Sequence, residues 1–198
     1  MAPLPVTAVI LAGGKASRMH GVDKGLITLG DKPLIEHVIA RLQPQVQQII
    51  ISANRNLDTY RQFGLPVLTD QNHDYLGPLA GIATAMQQCT TEYLLVQPCD
   101  CPFLPHDLAE KMTAAIIANN ADVCLAFDGR RLQPLVALLS VSLLDRLDQS
   151  IAAGKLKVER WMLEQDHCMA EFKDPQAFLN INTAQELEQA EKLLQAQS

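Results

Sequence analysis

The sequence predicts an α/β fold on a mostly parallel sheet with helices on both faces. A short, continuous, β-branched apolar run at residues 7–11 reads as a buried strand, and further strand-length segments rich in apolar residues recur at 48–52, 65–70 and 93–96. Segments with helical apolar spacing stand between them, and strands alternating with helices imply crossover connections and hence parallel pairing. A chain of 198 residues, 48% hydrophobic and 19% charged, has the composition and length of one packed domain, residues 1–198.

Taken in order, residues 7–11 form a strand, and residues 26–29 a short apolar segment closed by Gly30 and Asp31. Residues 33–42 read as a helix, because Leu34, Ile35, Val38, Ile39 and Leu42 make one stripe and Pro33 suits a first turn. The next strand, 48–52, runs into Ala53 and Asn54, and the strand at 65–70 ends on a carboxylate, Asp70. A helix over 79–86 and a strand over 93–96 follow, the latter running into Pro98-Cys99-Asp100-Cys101-Pro102. Leu108, Met112, Ala115 and Ile116 share a face of a helix within 105–120. Residues 122–127 and 134–139 read as strands joined by a turn at Gly129-Arg130-Arg131, in the manner of a hairpin. Residues 141–153 and 157–165 read as helices and 178–182 as a last strand. Thr183 and Glu186 have the spacing of a capping box at the start of a final helix, which frays after Leu194.

In a parallel sheet of this kind ligands bind outside the carboxyl ends of the strands. That rule gathers Gly13 and Gly14, the 52–54 segment, Asp70 and Asp100 along one edge. The loop after the first strand adds charge to the geometry. Gly13 and Gly14 let a ligand approach backbone N–H donors, and Lys15, Arg18 and Lys24 oppose a single Asp23 in a chain of formal net charge -6. A glycine pair alone is usually an ordinary strand-to-helix turn. Three bases spread over the same loop suit an extended polyanion such as a triphosphate. Neither GxxxxGK[ST] nor GxGxxG is present.

LAGGKASRMHGVDKG, with the Asp100 motif and Phe-Leu-Asn-Ile-Asn-Thr near the C-terminus, resembles the molybdenum cofactor guanylyltransferase family of nucleotidyltransferases. The resemblance runs nearly end to end. It implies a three-layer, Rossmann-like nucleotidyltransferase fold, with a nucleotide-binding half at about 6–120 and an acceptor-binding half at about 121–198. It also implies GMP transfer from GTP to the phosphate of Mo-molybdopterin with Mg²⁺ as cofactor, and transient contact with cofactor-synthesis and acceptor proteins. By the same resemblance Lys24, Asp100 and Arg18 are catalytic. The nucleotide falls to Leu11, Ala12, Gly13, Gly14, Lys15, Lys24, Ser52, Asn54, Asp70, Gly77, Gly81 and Asp100. Asp100 and Asn182 hold the metal, and Arg130, Asn180 and Asn182 meet the acceptor, with Arg131 and Pro134 nearby. LAGG and GPLAG look like the guanylyl branch, whereas Ser52 stands where the family pattern has Asn.

Mg²⁺ takes hard oxygen ligands shared between carboxylates and substrate phosphates, which fits an Asp held between two prolines beside a phosphate loop. Asn180 and Asn182 alternate with apolar neighbours, so a strand would turn both to one face. Two rivals use the same residues: another nucleotidyltransferase using CTP or a sugar phosphate, and a nucleotide-binding carrier without turnover. The acidic balance excludes general nucleic-acid affinity as the expectation, since that rests on many phosphate-neutralising bases. No run reaches the ~18 apolar residues of a membrane span, and residues 1–5 lack the charged and apolar regions of a secretory signal, so a cytoplasmic location is expected. Five cysteines without CxxC spacing point to reduced, structural thiols. No histidine is assigned a catalytic role.

Overall fold

The computed structural model describes residues 4–13, 23–70, 77–174 and 176–196. Its elements run β1 (Leu4–Leu11), β2 (Thr28–Leu29), β3 (Lys32–Pro33), α1 (Leu34–Leu42), β4 (Val46–Ser52), α2 (Leu57–Arg61), β5 (Val67–Leu68), α3 (Pro78–Gln88), β6 (Tyr93–Pro98), α4 (Leu108–Asn119), β7 (Val123–Phe127), β8 (Leu132–Ser140), α5 (Leu144–Ala152), α6 (Val158–Leu163), β9 (His167–Glu171) and α7 (Ala184–Ala196). Seven strands make one sheet in the order β5-β4-β1-β6-β8-β7-β9, and β2 pairs with β3 apart from it. All neighbours in the large sheet are parallel except β8, which runs antiparallel to both β6 and β7. The mostly parallel α/β sheet is therefore present, with the expected β7–β8 hairpin inserted into it.

Alternation along the strands divides the core between the two faces. Val6, Ala8 and Ile10 of β1 pack with Ile35, Val38 and Leu42 of α1 and with Leu108, Met112 and Ile116 of α4. Val9 points the other way, in the cluster with Leu79, Ile82 and Met86 of α3, Leu147 of α5 and Trp161 of α6. The result is a three-layer sandwich. Gln45 fastens one layer internally. Its side-chain amide donates to the carbonyls of Arg41 and Pro105 at 2.8 and 2.9 Å, and its oxygen accepts from the Ala109 N–H at 3.1 Å.

A third cluster joins Ile27, Leu29, Leu34 and Phe103 to Ile181 and to Ala190 of α7. The capping box forms: the Glu186 N–H donates to Thr183 Oγ1 at 3.2 Å, and Glu186 Oε2 accepts the Asn182 N–H at 2.7 Å. The C-terminal helix is thereby tied to the segment that precedes it.

Three expectations change. Residues 178–182 are not a strand. Phe178 packs edge-on against Phe172 with ring centroids 5.5 Å apart, Ile181 is buried, and its N–H donates to the Asp100 carbonyl at 2.9 Å, which ties the segment to the 98–102 loop. Its apolar-polar alternation reflects this docking rather than a ladder. The ninth strand lies instead at β9, on the edge of the sheet, where a buried Ala170 and an exposed Met169 blur the period-two contrast. The helix expected at 141–153 divides into a 3-10 turn, Val141–Leu143, and α5. The strand expected at 65–70 shortens to β5, and α2, five residues long, is too short for periodicity to announce.

All five cysteines are free; Cys99, Cys101, Cys124 and Cys168 are buried, and Cys89 is half-buried. Burial above all pushes the thiols of Cys99, Cys101, Cys124 and Cys168 up, which keeps them protonated and unreactive at neutral pH. Native protein at pH 8 is expected to yield one fast equivalent with a thiol-disulfide reagent, at Cys89, and five after denaturation. Two or more fast equivalents in the native state would contradict this burial. Among the described residues no helix is long and apolar enough to cross a membrane.

Candidate functional site

The sheet register sets the site. Leu11 at the end of β1 pairs with Ser52 at the end of β4 and with Pro98 at the end of β6, so three parallel strands terminate in line. The backbone fans out there through Ala12 N–H to the Ser52 carbonyl, Ala53 N–H to the Leu68 carbonyl and Cys99 N–H to the Leu11 carbonyl, at 2.8, 2.9 and 3.2 Å. A cavity of about 340 Å³ opens at this edge. Leu11, Ala12, Gly13, Lys24, Ser52, Asn54, Asp70, Gly77, Gly81 and Asp100 all line it, and of these Gly13, Ser52, Asn54, Asp70 and Asp100 are the ones that the carboxyl-edge rule gathers. Gly14, Lys15 and Arg18 lie outside the described residues.

Asp70 is held from one side. Its backbone N–H donates to Asn54 Oδ1 at 2.9 Å, and the Asn54 amide returns a bond to Asp70 Oδ2 at 2.7 Å. Asp70 Oδ1 is buried without a hydrogen-bond partner among the described residues. A buried acceptor left unpaired costs free energy, so a carboxylate oxygen open at a cavity is suited to accept from a donor that enters it. Close packing frames it: a Cβ on Gly81 would lie 2.7 Å from Ser52 Oγ and 3.6 Å from Asp70 Oδ1. Ser52 itself is buried, between β4 and the α3 backbone.

Asp100 and Lys24 form the charged centre. The Lys24 ammonium donates to Asp100 Oδ2 at 3.1 Å and to Asn182 Oδ1, bridging residues 76 and 158 positions apart in sequence. The Asp100 side chain is 13% exposed and that of Lys24 30%. Asn180 turns to the same 98–102 loop, where its carbonyl oxygen accepts from the Cys101 thiol. Since 178–182 is not a strand, each asparagine is oriented by its own partner and not by a shared face.

Behind Lys24 stands an arrangement that sequence reasoning missed. Asp23 is 5% exposed, lines the cavity and accepts from Tyr60 Oη at 2.6 Å and from the Asn56 amide at 3.3 Å. Burial first, then the bond to Asp23, pushes the Tyr60 hydroxyl up, so it remains a donor. Asn56 takes a left-handed φ of 50° ahead of α2, a conformation asparagine tolerates. Gly25 fills the remaining gap: a Cβ there would sit 2.7 Å from Tyr60 Oη and 3.4 Å from Cys99 Sγ. Gly25→Ala is expected to cost about 1–3 kcal/mol, at about 2–4 °C in Tm per kcal/mol, because Tyr60 is anchored and cannot yield. Thermal denaturation of Gly25→Ala, Tyr60→Phe and the double variant checks it. If the double variant is as destabilised as the sum of the singles, the hydroxyl is not the obstacle.

Pro78 of the GPLAG turn and Pro98 and Cys99 of the Asp100 motif also line the cavity, as does Leu135, which sequence reasoning did not single out. Leu135 comes from β8, whose place beside β6 is visible only once the sheet is assembled. The acceptor candidates are less gathered. Arg130 and Arg131 are exposed on the β7–β8 turn, outside the described cavity lining, and Pro134 lies further along β8. Against the opposing pull of burial, the backbone N–H groups of Arg131 and Arg130 and the Gln133 amide hold the Asp128 carboxyl below its usual range. That fixes the turn and leaves the guanidinium of Arg131 3.8 Å from the carboxylate.

Residues 8–168 match the model of the MobA-like NTP transferase domain. The chain is 49% identical over 185 residues to the molybdenum cofactor guanylyltransferase of Shewanella loihica, covering 93% of this chain and 94% of that one. It is 50% identical over 185 residues to the protein of the same name from Shewanella halifaxensis, covering 93% and 92%. Among solved structures, it resembles the molybdopterin-guanine dinucleotide biosynthesis protein A of Archaeoglobus fulgidus, with TM-score 0.80 and 22% identity over 96% of this chain and 99% of that one. The 4-diphosphocytidyl-2C-methyl-D-erythritol synthase of Anaerococcus prevotii has TM-score 0.75 at 12% identity, covering 96% of each chain. At such identities the two structures speak for the fold alone.

Proposed function

This chain belongs to the MobA-like NTP transferase family, and we propose that it transfers GMP from GTP to the terminal phosphate of Mo-molybdopterin, releasing pyrophosphate. The observation that carries the reading is the cavity at the strand ends, where an unpaired Asp70 oxygen at one side and the Lys24–Asp100–Asn182 cluster at the other frame space for one nucleotide. Asp70 Oδ1 accepts from the guanine edge, whose N1–H and amino group are donors, and the strand-end backbone at 11–13 supports the base. The phosphates then extend toward Lys24, with Lys15 and Arg18 of the same loop on the departing pyrophosphate.

The reacting oxygen belongs to a phosphate monoester, whose second pKa near ~6 leaves it largely dianionic at neutral pH. Its attack on the α-phosphorus forms one P–O bond as the bond to the β-phosphate oxygen breaks. No protein base is demanded. The work of the chain is placement and charge neutralisation, Lys24 meeting the phosphate oxygens and the 98–102 loop holding Asp100 rigidly.

The oxygens of Asp100 and Asn182 suit a magnesium ion, because they are hard donors, carry one negative charge and already converge on a single cation. Among the described residues no three His, Cys, Asp or Glu side chains gather as a metal cage, so further ligands would come from substrate. When bound, the ion supplies charge stabilisation at the phosphoryl group. Asn182 and, beyond it, Asn180 and Arg130 border the side from which the acceptor enters, which makes residues from about 121 onward the acceptor half and those from about 6 to 120 the nucleotide half of one domain. The reaction and its encounters with cofactor-synthesis and acceptor proteins belong to the cytoplasm.

Pyrophosphate release from GTP, with CTP and ATP in parallel, with and without Mg²⁺ and Mo-molybdopterin, tests the proposal. Release is expected with GTP only when both additions are present. Equal release from CTP, or GTP binding with no release, would replace guanylyl transfer by another acceptor chemistry or a carrier role.

A further inference from the structure

We infer that the Lys24 ammonium is the resident counter-ion of the divalent-cation site, so that metal alone is held off and enters together with nucleotide phosphates that draw Lys24 away. The inference rests on the proposed role of Asp100 and Asn182 as oxygen ligands. Its basis is positional: Lys24 Nζ lies 3.1 Å from Asp100 Oδ2 and is also hydrogen-bonded to Asn182 Oδ1, so it occupies the point at which the two oxygens meet. An ammonium and a divalent ion repel at such separations, strongly where Asp100 is only 13% exposed, and cannot share that point.

The backbone that carries each of the two oxygens is held independently of Lys24. The Asp100 carbonyl accepts the Ile181 N–H at 2.9 Å, and the Asn182 N–H is held by Glu186 Oε2 at 2.7 Å. Lys24 is fixed at its root, and its tip reaches the two oxygens on a stem that can re-aim. Its backbone opens the 3-10 turn Lys24–Leu26, anchored by the buried Asp23 carboxylate between Tyr60 and Asn56, while its side chain is a flexible four-carbon stem that lines the nucleotide cavity. Phosphate oxygens arriving in that cavity offer the ammonium a second set of acceptors. Moving to them frees Asp100 and Asn182 for the metal. Metal and nucleotide binding are then positively coupled through one side chain, and the coupling is reciprocal.

A lysine that only contacts phosphates predicts no change in the binding of metal without nucleotide, which separates the two accounts. Mn²⁺ binding to nucleotide-free protein, followed by the electron paramagnetic resonance signal of the free ion, is measured for the wild type, Lys24→Met, Lys24→Arg and Lys24→Met/Asp100→Asn. Lys24→Met is expected to bind Mn²⁺ about tenfold more tightly than wild type, since a positive charge has been removed from beside the two oxygens. Lys24→Arg keeps the charge and the weak binding, and adding Asp100→Asn abolishes the gain. Equal affinities in wild type and Lys24→Met, with binding lost in Lys24→Met/Asp100→Asn, would overturn the counter-ion role while leaving Asp100 as a metal ligand. A gain that survives Asp100→Asn would overturn both. Circular dichroism of each variant verifies the fold, and Lys24→Arg supplies the comparison should Lys24→Met fail to fold: tight Mn²⁺ binding by Lys24→Arg would refute exclusion by charge.

Discussion

Asp100→Asn is expected to lower kcat about 10³-fold while weakening GTP by less than about tenfold. The substitution keeps the volume and leaves the backbone anchor from Ile181 in place, so the loop between Pro98 and Pro102 retains its path. What is lost is the negative charge that faces Lys24 here and that, in the proposed function, holds the metal beside the reacting phosphate. In the proposed function nucleotide binding draws on other contacts: the strand-end backbone, Asp70 and the bases of the loop. A residue that matters chiefly when charge redistributes should therefore act on kcat more than on affinity. Rapid-quench turnover with saturating GTP and Mg²⁺, alongside calorimetric GTP affinity, measures the split. Turnover within a factor of ten of wild type would remove Asp100 from the reaction.

Asp70→Asn is expected to weaken GTP about 10²-fold and to leave ATP and CTP affinities nearly unchanged. The direction follows from Asn54. Its Oδ1 accepts the Asp70 backbone N–H, which fixes its amide NH₂ toward Asp70 Oδ2. An asparagine at position 70 must then present its own oxygen to that NH₂, which turns its NH₂ into the position of Oδ1, the buried oxygen left open at the cavity. An acceptor matched to a donor edge becomes a donor facing donors. Asp70→Ala differs, since it also breaks the Asn54 pair and mixes loss of support with loss of recognition. Competition binding with the three nucleotides decides. An equal loss for GTP and ATP would mean that Asp70 meets a part of the nucleotide common to both.

The reach of the sequence varies along the chain. Strands β1, β4 and β6 were legible because continuous apolar runs buried on both faces leave a strong signal. Helices α1, α3 and α4 were legible from their stripes. β9 was not, because an edge strand of five residues with a small buried alanine has little contrast to read. Residues 178–182 misled for the converse reason: alternation arises wherever a segment docks with every second side chain inward, with or without a partner strand. In the site, residues that directly follow strand ends were found, since topology carries them to one edge whatever the details of packing. Asp23, Tyr60 and Asn56 were not linked, because their contact spans 33 to 37 positions and depends on how α2 seats beneath the loop.

The sequence by itself determined the α/β class, the edge at which the site forms and the chemical kinds of residue that meet there. Local patterning, turn residues and the carboxyl-edge rule depend only on nearby residues and on strand direction. Tertiary structure alone decided the placement of antiparallel β8 between β6 and β7, the meeting of Lys24 with Asp100 and Asn182, and the open Asp70 oxygen. Each is a relation between side chains or strands distant in sequence. Such relations are set by the packing of the whole core, which no local pattern records.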